Sequence, residues 1–189
     1  MPDSTRDKII DTVIRLYSQY SYEAISTKQI TEEVGISKGT LYWHFTKKED
    51  MFDEAFQRCY QKMIECARDG INENASAIDC LKRRIKNLVN LNKIEPHHMK
   101  IMTKHGGPVS TSETQFSDYH DIVASDMLNH IRKGLQSKEI VDLPEIFLLQ
   151  ALMYINLGFL DYLNKHPECY ENEALIDKMI DNLYKSIQP

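Results

Sequence analysis

Residues 26–51 read Ser-Thr-Lys-Gln-Ile-Thr-Glu-Glu-Val-Gly-Ile-Ser-Lys-Gly-Thr-Leu-Tyr-Trp-His-Phe-Thr-Lys-Lys-Glu-Asp-Met. Ser26 with Gln29 three positions later forms a capping box, so a helix begins at Thr27. Ile30 and Val34 share one face of it. Gly35 supplies the left-handed terminator, because other residues take positive φ only with strain. Ser37 caps a second helix over Lys38 to His44, which Leu41 and Phe45 turn inward. Thr46 with Glu49 is a further cap and predicts a long third helix. Starts packed this closely leave room only for short helices crossing at steep angles.

Two short helices joined by a tight turn are the geometry that sets a helix into the major groove of double-stranded DNA. The side chains agree. No acidic residue falls between Val34 and Lys48, whereas Lys38, Lys47 and Lys48 are cationic. Lys38 and Thr40 are the candidate base-edge contacts, and Gly39 is small enough to let the backbone approach. Ser37, Tyr42, His44 and Lys48 are candidates to hold phosphates, which fixes register without reading sequence. The exposed N–H groups of the second helix also favour a phosphate. Lys48 opposes the dipole of its own helix, which assigns it to a partner outside. Trp43 either buttresses the helix or covers a thymine methyl or sugar. Thr27 completes the set, and Arg6 and Lys8 read equally as phosphate contacts or as ordinary solvated charges.

The run resembles the DNA-binding domain of the tetracycline repressor (TetR) family of bacterial transcription regulators. The residues that carry the resemblance are Ile30, Gly35, Ile36, Ser37, Gly39, Thr40, Leu41, Tyr42, Phe45, Lys48 and Glu49. It covers roughly residues 5 to 55. Thr31 and Val34 stand where the family usually has alanine, changes of modest volume that shift how the first helix sits. The resemblance implies a repressor that binds a palindromic operator as a dimer and is released by a small-molecule effector. It also implies a homodimer formed through the last two long helices.

Composition bounds this reading. The chain has 189 residues, with 23 Lys and Arg against 28 Asp and Glu, a net charge of −5. A DNA-binding domain is usually basic, and residues 1–50 hold seven basic and eight acidic side chains. Affinity must therefore come from a focused patch and from dimerisation, with strong salt dependence. Cys59, Cys66, Cys80 and Cys169 show no C-x-x-C spacing and read as reduced thiols. No apolar run follows the opening Met-Pro-Asp-Ser-Thr-Arg-Asp, so a cytoplasmic protein is expected.

Helical periodicity runs through the rest, and no strand-period run interrupts it. The expected fold is all-α with about nine helices: a helix-turn-helix domain over 1–50, and an effector-binding and dimerisation domain over 51–189. Ser4 caps the first helix. Phe52, Ala55, Phe56, Cys59, Tyr60, Met63 and Ala67 stripe a long linker helix ending at Gly70. Ile78, Leu81, Ile85 and Leu88 repeat the pattern, and Pro96 opens a short helix. Residues 104–111 read as a loop, Ser112 with Gln115 as a cap, and Gly134 as the end of the next helix. From Ile146 to Leu163, 14 of 18 residues are apolar and surround the helix, which predicts burial on every side. A membrane span is the competing reading, opposed by Gln150, Asn156 and Asp161; a helix of the core that also faces a second subunit fits the pattern better. The final helix, about Asn172 to Ile187, has a stripe wide enough for both an inner and an intersubunit contact.

The middle helices are rich in side chains suited to an adaptable pocket. Met99, Met102, His105, Phe116, Tyr119, His120, Met127, Met153 and Tyr154 are the candidates, each of which also reads as core packing. His97, His98, His105 and His120 fit no compact metal motif, and no cofactor is expected. No nucleophile–base pair or phosphate loop is legible, so no enzyme is expected. A helical small-molecule carrier or an enzyme, with the N-terminal motif only a packing unit, is the alternative.

Overall fold

Our computed structural model describes residues 4–105 and 113–189, with side chains over 4–103 and 122–189. Among these, all regular structure is helical. Helix α1 spans Thr5–Tyr17, α2 Thr27–Val34, α3 Lys38–His44 and α4 Lys48–Arg68. Then follow α5 Ala77–Ile94, α6 Pro96–His105, α7 Glu113–Gln136, α8 Glu145–Lys165 and α9 Glu173–Lys185. A 3-10 turn over Pro167–Glu171 joins the last two.

The first three helices form where the local chemistry places them. The Ser4 hydroxyl accepts from the Asp7 N–H and the Asp7 carboxylate returns the bond. Ser26 caps α2, and Gly35 ends it at φ 76°, ψ 37°. The Gly35 and Ile36 N–H groups then both donate to the Thr31 carbonyl, at 2.9 and 3.0 Å. The α4 start differs from the expected cap at Thr46. The Lys47 N–H donates to the Asp50 carboxylate at 2.9 Å, because the Glu49 carboxylate accepts the Tyr22 hydroxyl at 2.5 Å instead.

One apolar cluster runs from Ile9 in α1 to Ile187 after α9. The boundary expected at residue 50 therefore falls within the first turn of α4, whose Met51, Phe52, Ala55 and Phe56 are buried. This helix packs against α1 on one side and α5 and α6 on the other. Ion pairs reinforce the join: Arg6 and Arg58 both bond Glu54, and Arg58 reaches Asp7 at 3.0 Å. Helix α5 is held to α9 by Lys82–Asp181 and Lys86–Asp177, at 2.8 and 2.7 Å.

One further expectation is corrected. Gly134 does not end α7, which continues to Gln136. A Cβ at Gly134 would lie 2.5 Å from Ile140 Cδ1 and 3.0 Å from Ala77 Cβ, so this glycine permits close packing. Helix α8, expected to lie in the core and to face a second subunit as well, is buried along one side of this single chain. Leu148, Leu149, Leu152, Phe159, Leu160 and Leu163 enter the core, but Ile146, Phe147, Tyr154 and Tyr162 stand exposed. Among the described residues α8 is the one helix long and apolar enough to cross a membrane. The expected loop at 104–111 and the Ser112 cap lie outside the described residues, apart from the end of α6.

Candidate functional site

Helix α3 is fixed from beneath and open above. Leu41 and Phe45 are buried against the neighbouring helices. Arg6 of α1 lies over the Phe45 ring, 4.2 Å from its centroid, and donates to the His44 carbonyl at 2.8 Å. Arg6 thus orients the end of α3, and its phosphate-contact reading gives way to this role. On the outer face Lys38, Gly39, Tyr42 and Trp43 are exposed, while Thr40 and His44 are half-buried. Lys38 Nζ sits 5.8 Å from the Tyr42 ring centroid, within cation–π reach.

The hydroxyls are already engaged. Ser37 Oγ accepts the Thr40 N–H at 3.0 Å and lies 2.8 Å from Thr40 Oγ1. Trp43 is 80% exposed and meets His44 edge-on at 4.6 Å. It does not buttress the helix, which leaves the outward reading of its indole. Thr27 opens α2, half-buried beside its Ser26 cap.

Lys48 departs from its expected place. Its ammonium donates to the Tyr22 carbonyl at 2.5 Å and lies 3.9 Å from the Tyr22 ring centroid. Burial holds its pKa below the ordinary lysine value, against the opposite pull of Glu49 and Glu23. A phosphate at Lys48 would have to share it with that internal partner.

The second concave feature is a cavity of about 170 Å³ between α4, α5, α6, α7 and α8. Met99, Met102, Met127 and Met153 all line it, as four of the candidate pocket residues. Tyr154 does not: it is 76% exposed on the far side of α8. The side chains of His105, Phe116, Tyr119 and His120 lie outside the described residues. The sequence reading missed Phe56 and Tyr60, assigned to the linker stripe, and three polar lining residues: Arg84, Asn156 and Tyr184. The Tyr184 hydroxyl donates to Asn156 Oδ1 at 3.2 Å. Arg84 was legible in principle, since it shares a helical row with Ala77, Leu81 and Leu88, where a solvated arginine does not belong.

Among the described residues, His97 and His98 of α6 lie beside polar neighbours on other parts of the chain or in the preceding turn. His97 Nδ1 lies 2.8 Å from Ser18 Oγ, and His98 Nδ1 lies 3.2 Å from the Glu95 carboxylate. The four cysteines are free thiols, and burial pushes Cys59 up to about 12, far from a reactive thiolate.

Comparison with known proteins follows this geometry. Residues 9–55 match the family model described as bacterial regulatory proteins, tetR family. The biofilm operon icaADBC HTH-type negative transcriptional regulator IcaR of Staphylococcus epidermidis is 31% identical over 71 residues, 38% of each chain. The chain thus spans well under half the length of the curated relatives it matches. Similarity of fold extends further. A putative tetR family transcription regulator from Shewanella sp. PV-4 superposes with a TM-score of 0.82 at 16% identity, covering 99% of this chain and 100% of that one. AibR, solved with isovaleryl coenzyme A and operator DNA, gives 0.80 at 15% identity, covering 98% and 99%.

Proposed function

We propose that the chain is a member of the tetR family of bacterial regulatory proteins, whose family model residues 9–55 match, and that it is a transcription regulator of the cytoplasm, most simply a repressor. It binds a palindromic operator as a homodimer and is released by a small-molecule effector held in the helical domain. The observation that carries this reading is the outer face of α3. Lys38, Gly39, Tyr42 and Trp43 are presented together to solvent, without a carboxylate from Val34 to Lys48, on a helix locked from below by Leu41 and Phe45. Lys38 and Thr40 reach base edges, Gly39 admits the backbone, and Ser37, Tyr42 and His44 hold phosphates, with Thr27 and Trp43 at the margin.

The exposed apolar side of α8 supports the homodimer. Phe147, Tyr154 and Leu157 lie on it, and Gly158 leaves open space for a close neighbour. To read successive major grooves, a two-fold pair through α8 and α9 has to hold its two α3 helices about 34–36 Å apart, one turn of duplex. The cavity supplies the effector site, as AibR was solved with an acyl coenzyme A as well as its operator. A cavity would serve a carrier equally, but a carrier has no use for an outward α3 of this composition.

The test is DNA retention. Random duplex binding of the wild type should fall steeply with salt, and Lys38→Ala, which removes a cation from the face that enters the groove, should weaken it. Tyr42→Ala should weaken binding further. If both variants retain DNA as the wild type does, α3 is not the reading helix.

A further inference from the structure

One charged residue in the cavity is unexplained by its apolar lining. Arg84 of α5 has a side chain only 7% exposed. The carboxylate it faces is that of Asp126, whose Oδ2 stands 3.6 Å from Nη1. That carboxylate is already held by Arg68, through Nε at 2.6 Å and Nη2 at 3.1 Å. Two guanidiniums therefore share one acid, and the better geometry goes to Arg68, which is the more exposed of the two. Burial drives the Arg84 pKa down, and Arg68 adds to it, against Asp126. Among the described residues the recess holds one more acid, Glu73, which stands largely in solvent 3.9 Å from His130.

Arg84 also occupies a junction. It belongs to the wall of the apolar cavity and to the wall of a polar recess formed by Arg68, Asp126, Asn129 and His130. Among the described residues Arg84 has only a shared acid as its ionic partner, a costly position for a buried guanidinium, and a bidentate anion is the group that best matches its fork. On one side lies room for an apolar body among Met99, Met127 and Leu160. On the other lies the route by which a polar head meets water.

We propose that the effector is a small amphiphilic carboxylate, its apolar body in the cavity and its carboxylate on Arg84. This rests on reading the helical domain as an effector site. Size limits the class: an apolar cavity of about 150 Å³ accommodates benzene, so about 170 Å³ takes an aryl ring or a short alkyl chain. Hexanoate and benzoate are the natural probes. Asp126 does not repel such an anion as a lone charge would, because Arg68 neutralises it.

The experiment measures calorimetric binding of hexanoate and benzoate to the full chain, beside hexanamide, benzamide and hexanoyl-coenzyme A. The free carboxylates should bind about tenfold to a hundredfold more tightly than their amides, the range set by one charge-assisted contact. Arg84→Met should erase that preference while leaving amide binding within about threefold, and Arg84→Lys should restore part of it. Equal affinity for acid and amide in the wild type overturns the proposal, as does no binding of either acid. Tighter binding of hexanoyl-coenzyme A than of hexanoate overturns it too, since the thioester offers no carboxylate there. If Arg84→Met fails to fold, the wild-type acid–amide ratio and Arg84→Lys still decide. Operator binding is read in the same samples: acids that bind through Arg84 without weakening DNA binding would leave this assignment standing and remove the effector reading instead.

Discussion

His97 Nδ1 lies 2.8 Å from Ser18 Oγ, joining the first turn of α6 to the end of α1 across 79 positions of sequence. The Ser18 hydroxyl already donates to the Arg15 carbonyl at 2.7 Å. Its single hydrogen is therefore spent, and His97 Nδ1 must be the donor. Helix α6 also carries Met99 and Met102 into the cavity wall. The first turn of α6 thus links the proposed effector site to the helix on which Arg6 orients α3. A ligand shifts an equilibrium only through a difference in contacts between two states, and this bond is placed to report one.

The first prediction concerns that link. His97→Phe keeps the ring volume and removes the donor. Effector affinity and ligand-free operator affinity should both stay near wild type, while the factor by which effector weakens operator binding should shrink about fivefold, the equivalent of one neutral hydrogen bond. Fluorescence anisotropy of labelled operator with and without effector measures it. An unchanged factor would remove His97 from the coupling.

Acid should destabilise the protein through the same region. The pKa of His97 is lowered by burial first, then by the positive charges of Lys100, Arg15 and His98; those of His98 and His130 are lowered chiefly by burial. A folded pKa below the unfolded value of 6.5 means that the unfolded chain binds more protons. Stability held above 6.5 is then lost as pH falls through the folded values. Urea midpoints should drop between neutral pH and the upper carboxylate range, and less so in a His97→Phe/His130→Phe variant. A midpoint that rises on acidification over that interval contradicts the sign.

Gly39 separates folding from recognition. A Cβ there would meet only Ser37 Oγ, at an ordinary 3.7 Å, so the fold itself does not require glycine. Gly39→Ala should raise stability by up to about 0.5–1 kcal/mol, since alanine loses less conformational freedom in a helix. Operator affinity should fall nonetheless, because the added methyl group stands where DNA approaches. Urea denaturation and anisotropy on one preparation give both numbers. Loss of stability together with affinity would mean that Gly39 serves the fold.

Gly134 is the opposite case and shows where local reading stops. Ser4, Ser26, Gly35 and Ser37 were legible because each acts on backbone within four residues. The Thr46 cap failed because a tyrosine 27 positions away claims Glu49. Gly134 looked like a terminator because its partner, Ile140, lies across a turn in which Lys138 takes the left-handed conformation at φ 59°. Arg84 stands out on the apolar row of Ala77, Leu81 and Leu88, but the row does not reveal that a cavity lies beneath it. The two sides of α8 are alike in apolar composition, so its pattern does not tell which of them the core covers. Gly134→Ala should cost about 1–3 kcal/mol by overpacking, partly recovered in an Ile140→Ala background. Additive losses in the double variant, read by chemical denaturation, would show that Ile140 is not the obstacle.

The exposed side of α8 yields the last prediction. Tyr154 is 76% and Phe147 58% exposed, seven positions apart on one face, with Leu157 between Tyr154 and the next turn. Exposed aromatic residues in such a row mark a contact surface. In a two-fold pair each residue of that face meets its own copy or a close neighbour, so a charge placed there is buried twice. Tyr154→Glu should leave the monomer folded, because the side chain touches little of its own core. Dimer affinity should fall by at least about 3 kcal/mol, the scale of an uncompensated buried charge. Operator binding should drop with it, since one α3 alone reads half a site. Sedimentation equilibrium decides the matter: a Tyr154→Glu protein as dimeric as the wild type would place the interface elsewhere and remove the spacing argument for paired recognition helices.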